Sequence, residues 1–271
     1  MDKSCEAARD LYLFMLILPQ ALVQEAENRI KAAQGKFNPS PEEKNPNMKF
    51  VRNSLVPILA DDPDLNKAIQ RKKFSWEQYD AFLRHLYDSV RSREYFVKYM
   101  ENPSCSLRED AALFIKIYEE ELVDSKELED ILSDMSIWWN DDLAYALTWD
   151  CRSLDAIAKG QRWELPELYQ SEMKKDPDLD DDRAFVKSLL RMAVSRFDDF
   201  VSQIASCTPK WDRSRICATD LALIVCGLAE HAAFPDTPRR IIINEYVDIS
   251  KYYSTPESRA FVNGILDKLL K

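Results

Sequence analysis

Four glycines in 271 residues constrain this chain more than any other feature: Gly35, Gly160, Gly227 and Gly264. A phosphate-cradling loop and a dinucleotide fingerprint each need several glycines within a few residues. With these four so far apart, both motifs are excluded. Hairpin-rich all-β folds are disfavoured for a related reason, since their tight turns need positive φ. What remains is helix. Apolar residues recur at helical spacing in nearly every segment, and no convincing run alternates with period two, so the expected fold class is all-α. The chain is 46% hydrophobic and 31% charged, which are globular values. Its length suits one large domain, or a core of roughly 100 residues with a long extension.

The helices can be placed from their punctuation. Lys3 to Gln34 reads as one helix, kinked near Pro19 and stopped by Gly35, and 35–47, with three prolines, reads as a loop. Short helices are expected over 48–60 and 64–71. Ser75 is the expected N-cap of a helix through about Val90. Further helices follow at about 92–101, 106–122, 126–135 and 139–157. A linker is expected around 160–180, dividing a helical extension over 1–175 from a core over 176–271. Beyond it, a long helix is expected from Asp182 to about Ser206. A buried helix from Asp212 to Ala233 follows, in which 221–229 is apolar on every face. Thr237 with Pro238, and Thr255 with Pro256, look like cap-plus-N1 pairs that open the last two helices. Gly227 and Gly264 sit inside helices, where glycine costs about 1 kcal/mol against alanine, so both suggest close helix crossings.

Charge and cysteines narrow the function. The net charge is −10, which makes a poor nonspecific nucleic-acid binder. The balance is uneven, however: 207–271 carries nine Lys/Arg and eight Asp/Glu, while 1–206 carries 28 and 39. Any anion-facing surface is therefore expected near the C-terminal end. The six cysteines form no C-x-x-C pair and no zinc spacing, which points to reduced, mostly packed thiols in the cytoplasm. Leu11 to Val23 is too short and too interrupted for a membrane span, and acids on its leading flank argue against a signal peptide.

No catalytic or metal motif stands out, so the expectation is a protein that is not an enzyme and needs no cofactor. His85 and His231 read as structural. Trp138-Trp139-Asn140-Asp141-Asp142 resembles a carbohydrate site, but packed indoles at a helix start explain it more simply. The aspartates at 176, 178 and 180–182 suit a helix start and lack the glycine and terminal glutamate of a calcium loop. One segment offers more. Lys251, Tyr252 and Tyr253, then Arg259, Asn263 and Lys268, gather rings and cations around one helix–helix corner. Single-stranded RNA is bound by that mixture, although a solvated helix face looks the same.

The residues around that corner carry a resemblance. Phe234-Pro-Asp-Thr-Pro-Arg-Arg-Ile-Ile-Ile-Asn-Glu245, Ile249-Ser-Lys251 and Phe261-Val-Asn-Gly-Ile-Leu-Asp-Lys268 resemble the C-terminal half of the NusB antitermination family. The match covers roughly 90 residues well and extends weakly to Trp211-Asp212 and Asp220. The earlier helices resemble the extra segment of a longer form, through Asn45-Pro-Asn, Lys49-Phe-Val and Trp139-Asn-Asp-Asp. The resemblance implies an all-helical factor that binds boxA-type single-stranded RNA together with NusE, a small-subunit ribosomal protein, within the transcription elongation complex. Carried over by position, Lys251, Tyr253, Glu257, Arg259 and Phe261 would lie in or near the RNA-facing corner, and Asp220 would face the protein partner. Asn244, Glu245, Asn263, Gly264 and Asp267 look like packing and capping residues. The family opens with an Arg-rich helix that this sequence lacks. The expectation is a truncated chain or one that dispenses with that helix, with weakened RNA binding and an open apolar groove that invites a homodimer. The rival expectation is a helical protein–protein module with little RNA binding of its own. An accessory domain of an RNA cytosine methyltransferase is disfavoured, since no cofactor motif follows.

Overall fold

The structure is a computed structural model that describes residues 2–104, 106–160, 163–166, 181–207 and 216–270. Among the described residues there are helices and turns and no strand, as an all-α reading requires. The chain divides into two compact units, Met1–Leu168 and Tyr169–Lys271. Each has its own hydrophobic core.

The first unit is built around α1 (Asp2–Leu16) and α2 (Leu18–Gln34). Leu11 to Leu18 are all buried, which makes the strongest apolar run of the sequence a core helix. The kink falls at Ile17, two residues before Pro19. Pro19 has no N–H to give to the Met15 carbonyl. That carbonyl is satisfied instead by the Tyr118 hydroxyl, which donates to it at 2.7 Å. Two indoles hold the same helix. Trp76 Nε1 donates to the Phe14 carbonyl at 3.0 Å and Trp139 Nε1 to the Ala7 carbonyl at 2.8 Å. The Phe14 ring lies between them, with centroids 4.1 Å from Trp76 and 5.8 Å from Trp139. Trp139 is therefore a core residue while Trp138 is exposed, so the two indoles do not form one open platform.

Around this pair lie α3 (Pro41–Lys44), α4 (Leu55–Ala60), α5 (Pro63–Lys72), α6 (Asp80–Ser92), α7 (Glu94–Glu101), α8 (Leu107–Ile117), α9 (Lys126–Met135) and α10 (Leu143–Ala158). Local chemistry corrects several expectations. The stretch 35–47 is not all loop: Ser40 and Glu43 form a reciprocal capping box that opens α3. Only the second half of 48–60 is helical. Asn53, buried, accepts the Leu55 and Val56 N–H groups and delays the helix start. Ser75 does not cap α6: its Oγ accepts the Glu77 N–H at 3.1 Å, ahead of α6, at a 3₁₀ turn (Glu77–Tyr79) whose N-cap is Trp76. Gly35 follows α2 with φ −76°, so no left-handed cap is used there. Gly160, with φ +67°, does end α10 in the conformation that favours glycine.

Buried carboxylates in this unit are mostly held. Asp110 accepts from Ser54 N–H and the Tyr99 hydroxyl, each at 2.7 Å. Glu121 accepts from Arg93 Nε at 2.6 Å and Ser89 Oγ at 2.7 Å. Asp150 on α10 differs. It is fully buried, and neither of its oxygens has a hydrogen-bond partner among the described residues.

The second unit comprises α11 (Asp181–Ser195), α12 (Phe197–Cys207), α13 (Ala218–Ala233), α14 (Arg239–Tyr253) and α15 (Pro256–Leu269). The helix expected over 182–206 is divided at Arg196, a turn residue whose N–H still returns to the Met192 carbonyl and whose carbonyl accepts from the Phe200 N–H. The buried helix begins at Ala218; Trp211, Asp212 and the linker aspartates 176, 178 and 180 lie outside the described residues. Pro238 is itself the N-cap of α14, so Thr237 does not cap it. Thr255 caps α15 as expected, its Oγ1 accepting from the Ser258 N–H at 3.3 Å.

The two helical glycines part company. A Cβ on Gly227 would stand 2.8 Å from Leu266 Cδ2 and 3.2 Å from Tyr246 Cδ2, so α13 meets α14 and α15 there as closely as a glycine suggests. Gly264 has nothing within 4 Å and is exposed, so its expected close crossing is absent. Gly264→Ala should therefore raise the stability of this unit by about 1 kcal/mol through helix propensity alone. In Gly227→Ala, overpacking by about 1–3 kcal/mol outweighs the same gain. Thermal melts of both variants check this, and equal shifts would contradict it.

Candidate nucleic-acid interface

The corner between α14 and α15 is built from short polar side chains. Ser254 ends α14, its N–H returning to the Ser250 carbonyl at 3.0 Å. Ser254 Oγ donates to Asp220 Oδ1 on the first turn of α13. This bond ties the corner to the central helix. Asp220 is only 5% exposed and lies beneath the corner that it holds.

The corner brings the remaining sequence-selected residues together in two groups. Lys251 and Glu257 are exposed. Lys251 pairs with Asp248 one turn back. The Glu257 carboxyl is held below its usual range by its own backbone N–H and by the Thr255 hydroxyl. Tyr253, Arg259 and Phe261 are half-buried. Phe261 packs against the second core. Tyr253 lines an apolar groove of about 560 Å³, shared with Phe185 and Leu189 of α11, Leu223 of α13 and Ile249 of α14. The two rings and Arg259 are thus partly covered, while Lys251 and Glu257 stand in solvent.

The sequence reading missed that groove and its acid. Glu230, directly after the apolar run 221–229, is buried and accepts from the Tyr246 hydroxyl at 2.8 Å. Burial and this carboxylate push the Tyr246 phenol well up. Burial also raises the Cys226 thiol in the same groove. A glutamate within an all-apolar helix was the available signal, because a buried carboxylate needs a donor. Cys5, Cys151, Cys207, Cys217 and Cys226 are free, none of them fully buried, and Cys217 is exposed, so the packing expected of them is only partial. Among the described residues no cluster of three or more His, Cys, Asp or Glu could hold a metal ion. No helix among them is long and apolar enough to cross a membrane.

Comparison with known proteins bears on what such a corner is for. The NusB family profile matches residues 146–271, beginning inside α10 of the first unit. The transcription antitermination protein NusB of Methylacidiphilum infernorum is 34% identical over 118 residues, covering 38% of this chain and 82% of that protein. The chain belongs to the NusB family. The NusB of Finegoldia magna is 37% identical over 90 residues, covering 33% of this chain and 66% of that protein. The NusB of Koribacter versatilis is 33% identical over 89 residues, covering 33% and 61%. The chain thus spans less than two thirds of the length of these last two NusB proteins. No solved structure matches it. Most of the first unit lies outside the NusB match.

Proposed function

We propose that the chain is a transcription antitermination factor that acts in the cytoplasm by binding rather than catalysis. It holds a short boxA-like single-stranded RNA together with a NusE-type ribosomal protein and presents both to the transcription elongation complex. The observation that carries this reading is the α14–α15 corner of a NusB-family unit. There Lys251 and Tyr253 lie in the last turn of α14 and Arg259 and Phe261 in the first two turns of α15, so two cations and two rings flank the turn between the helices. Phosphate attraction would set affinity and ring contacts would add selectivity.

Calorimetric titration with the NusE-type protein, then with boxA-like RNA added, tests it. Near-stoichiometric binding tightened by RNA is expected, and absence of heat with either ligand would count against it. Tyr253→Ala should weaken RNA binding by about 1–3 kcal/mol, the worth of one base–ring stack, without lowering the melting temperature appreciably. An unchanged RNA affinity would remove Tyr253 from the site. The apolar groove beside Tyr253 favours a second reading, a protein-binding module with little RNA affinity of its own. Tight, RNA-independent partner binding would favour that reading.

A further inference from the structure

Residues 183–196 carry Arg183, Lys187, Arg191 and Arg196 and no carboxylate, within a chain of net charge −10. They lie on α11 and at the turn residue that follows it. At 100° per residue, Phe185, Leu189, Met192 and Ala193 share the face that packs on the second core. Arg183, Lys187, Leu190, Arg191 and Val194 fall on the opposite arc. All five are exposed, Leu190 by 47% and Val194 by 69%. Arg196 is already engaged, over the Phe200 ring at 4.9 Å and 3.5 Å from Asp199. Among the described residues Lys187 and Arg191 have no ion-pair partner. Some other exposed cations, Lys98, Lys116, Lys159 and Lys251, are paired with a carboxylate within one turn. On α11, Lys187 and Arg191 thus leave two exposed charges unneutralised four residues apart, as Lys67 and Arg71 do on α5, but here with the exposed aliphatic side chains of Leu190 and Val194 beside them.

We infer that the outward face of α11 is a second contact for single-stranded RNA, one that follows the phosphate backbone. The inference rests on the RNA-binding reading above and adds a site to it. Cations four residues apart on a helix stand about 6 Å apart along its axis. A flexible phosphodiester chain can follow that spacing. Leu190 and Val194 between them give apolar surface to riboses and base edges. A lipid surface fits less well: an interfacial helix sets a continuous apolar face apart from its cations, whereas here the aliphatic side chains are interleaved with the cations and Asp198 and Asp199 follow directly.

The test uses the full chain, a fluorescein-labelled 18-nucleotide single-stranded RNA containing a boxA-like element, and the 6-nucleotide core of that element, titrated at several KCl concentrations. For the Lys187→Glu/Arg191→Glu variant, affinity for the 18-mer should fall at least tenfold while binding of the 6-mer is unchanged. The slope of log K against log salt should drop by about 1.4 for two lost phosphate contacts. Lys187→Gln/Arg191→Gln should give a smaller loss in the same direction. Both pairs lie on exposed positions, and a thermal melt matching the parent chain confirms folding. Unchanged 18-mer affinity in the folded charge-reversal variant overturns the inference alone. Failure of the parent chain to bind either RNA overturns it together with the reading beneath it. Loss of co-sedimentation with phosphatidylserine vesicles, with RNA affinity intact, overturns it in favour of a lipid surface.

Discussion

Replacing Asp150 should stabilise the first unit, and the gain should grow as pH rises. Its carboxyl is fully buried between α10, α1 and the turn after α8, close enough to Tyr12, Tyr118 and Cys151 to raise all three. Burial alone pushes the Asp150 carboxyl well above its usual range. The folded unit therefore holds a proton that the unfolded chain releases near pH 4. Between those two points the native state binds more protons than the unfolded state, so stability falls with rising pH, by up to about 1.4 kcal/mol per pH unit. The loss persists above the folded pKa. Cys151, pushed up to about 12, and Tyr12 and Tyr118, both raised by burial, remain neutral through that window and add no opposing charge.

Asp150→Asn keeps the shape and removes the proton linkage. Asp150→Leu also removes the unsatisfied polar atoms, whose burial costs about 1–3 kcal/mol. At pH 8 the leucine variant should melt about 4–8 °C higher, the shift expected of about 2 kcal/mol in a unit of this size. Five of the six tryptophans, all but Trp211, lie in the first unit, so indole fluorescence reports its melting. Parallel pH dependence of parent and Asp150→Asn would refute the assignment.

Phe14→Ala should be the most damaging single change, costing about 3–5 kcal/mol. Its ring is fully buried and touches Trp76, Trp139, Phe74 and Tyr79. Cavity formation there would loosen both indoles that hold α1. The second unit has a separate core built from Phe200, Ile224, Ile242, Val262 and Leu266. The expected result is a biphasic melt, in which fluorescence reports early loss of the first unit while far-ultraviolet dichroism retains a later transition from the second. A single coincident loss by both probes would show that the second core cannot stand without the first.

Much of this was legible from residue order, for reasons that differ by element. Helix periodicity is local, so the all-α class, the buried run from Leu11 and the central helix around 221–229 could be read directly. Caps that use a side chain and its own neighbours were also readable: Thr255 opens α15 as its sequence says. The capping box at Ser40 and Glu43 carried an equally plain signature and was overlooked beneath three prolines. The candidate corner was legible as composition, since rings and cations cluster there whatever the fold does.

Other features depended on which faces meet. Gly227 and Gly264 look alike in sequence, yet only the first faces another helix, because a glycine states permission for contact and not its direction. Asp220 could be placed on a helix start but not beneath Ser254, which lies 34 residues away. The Met15 carbonyl freed by Pro19 was predictable, while its satisfaction by Tyr118, 103 residues on, was not. Sequence by itself determined the helical class, most of the helix punctuation and the family. Only tertiary structure decided which carboxylates are held, which glycine is crowded and which basic face stays open. Those outcomes depend on contacts between residues far apart in the chain, and local patterns carry no information about distant partners.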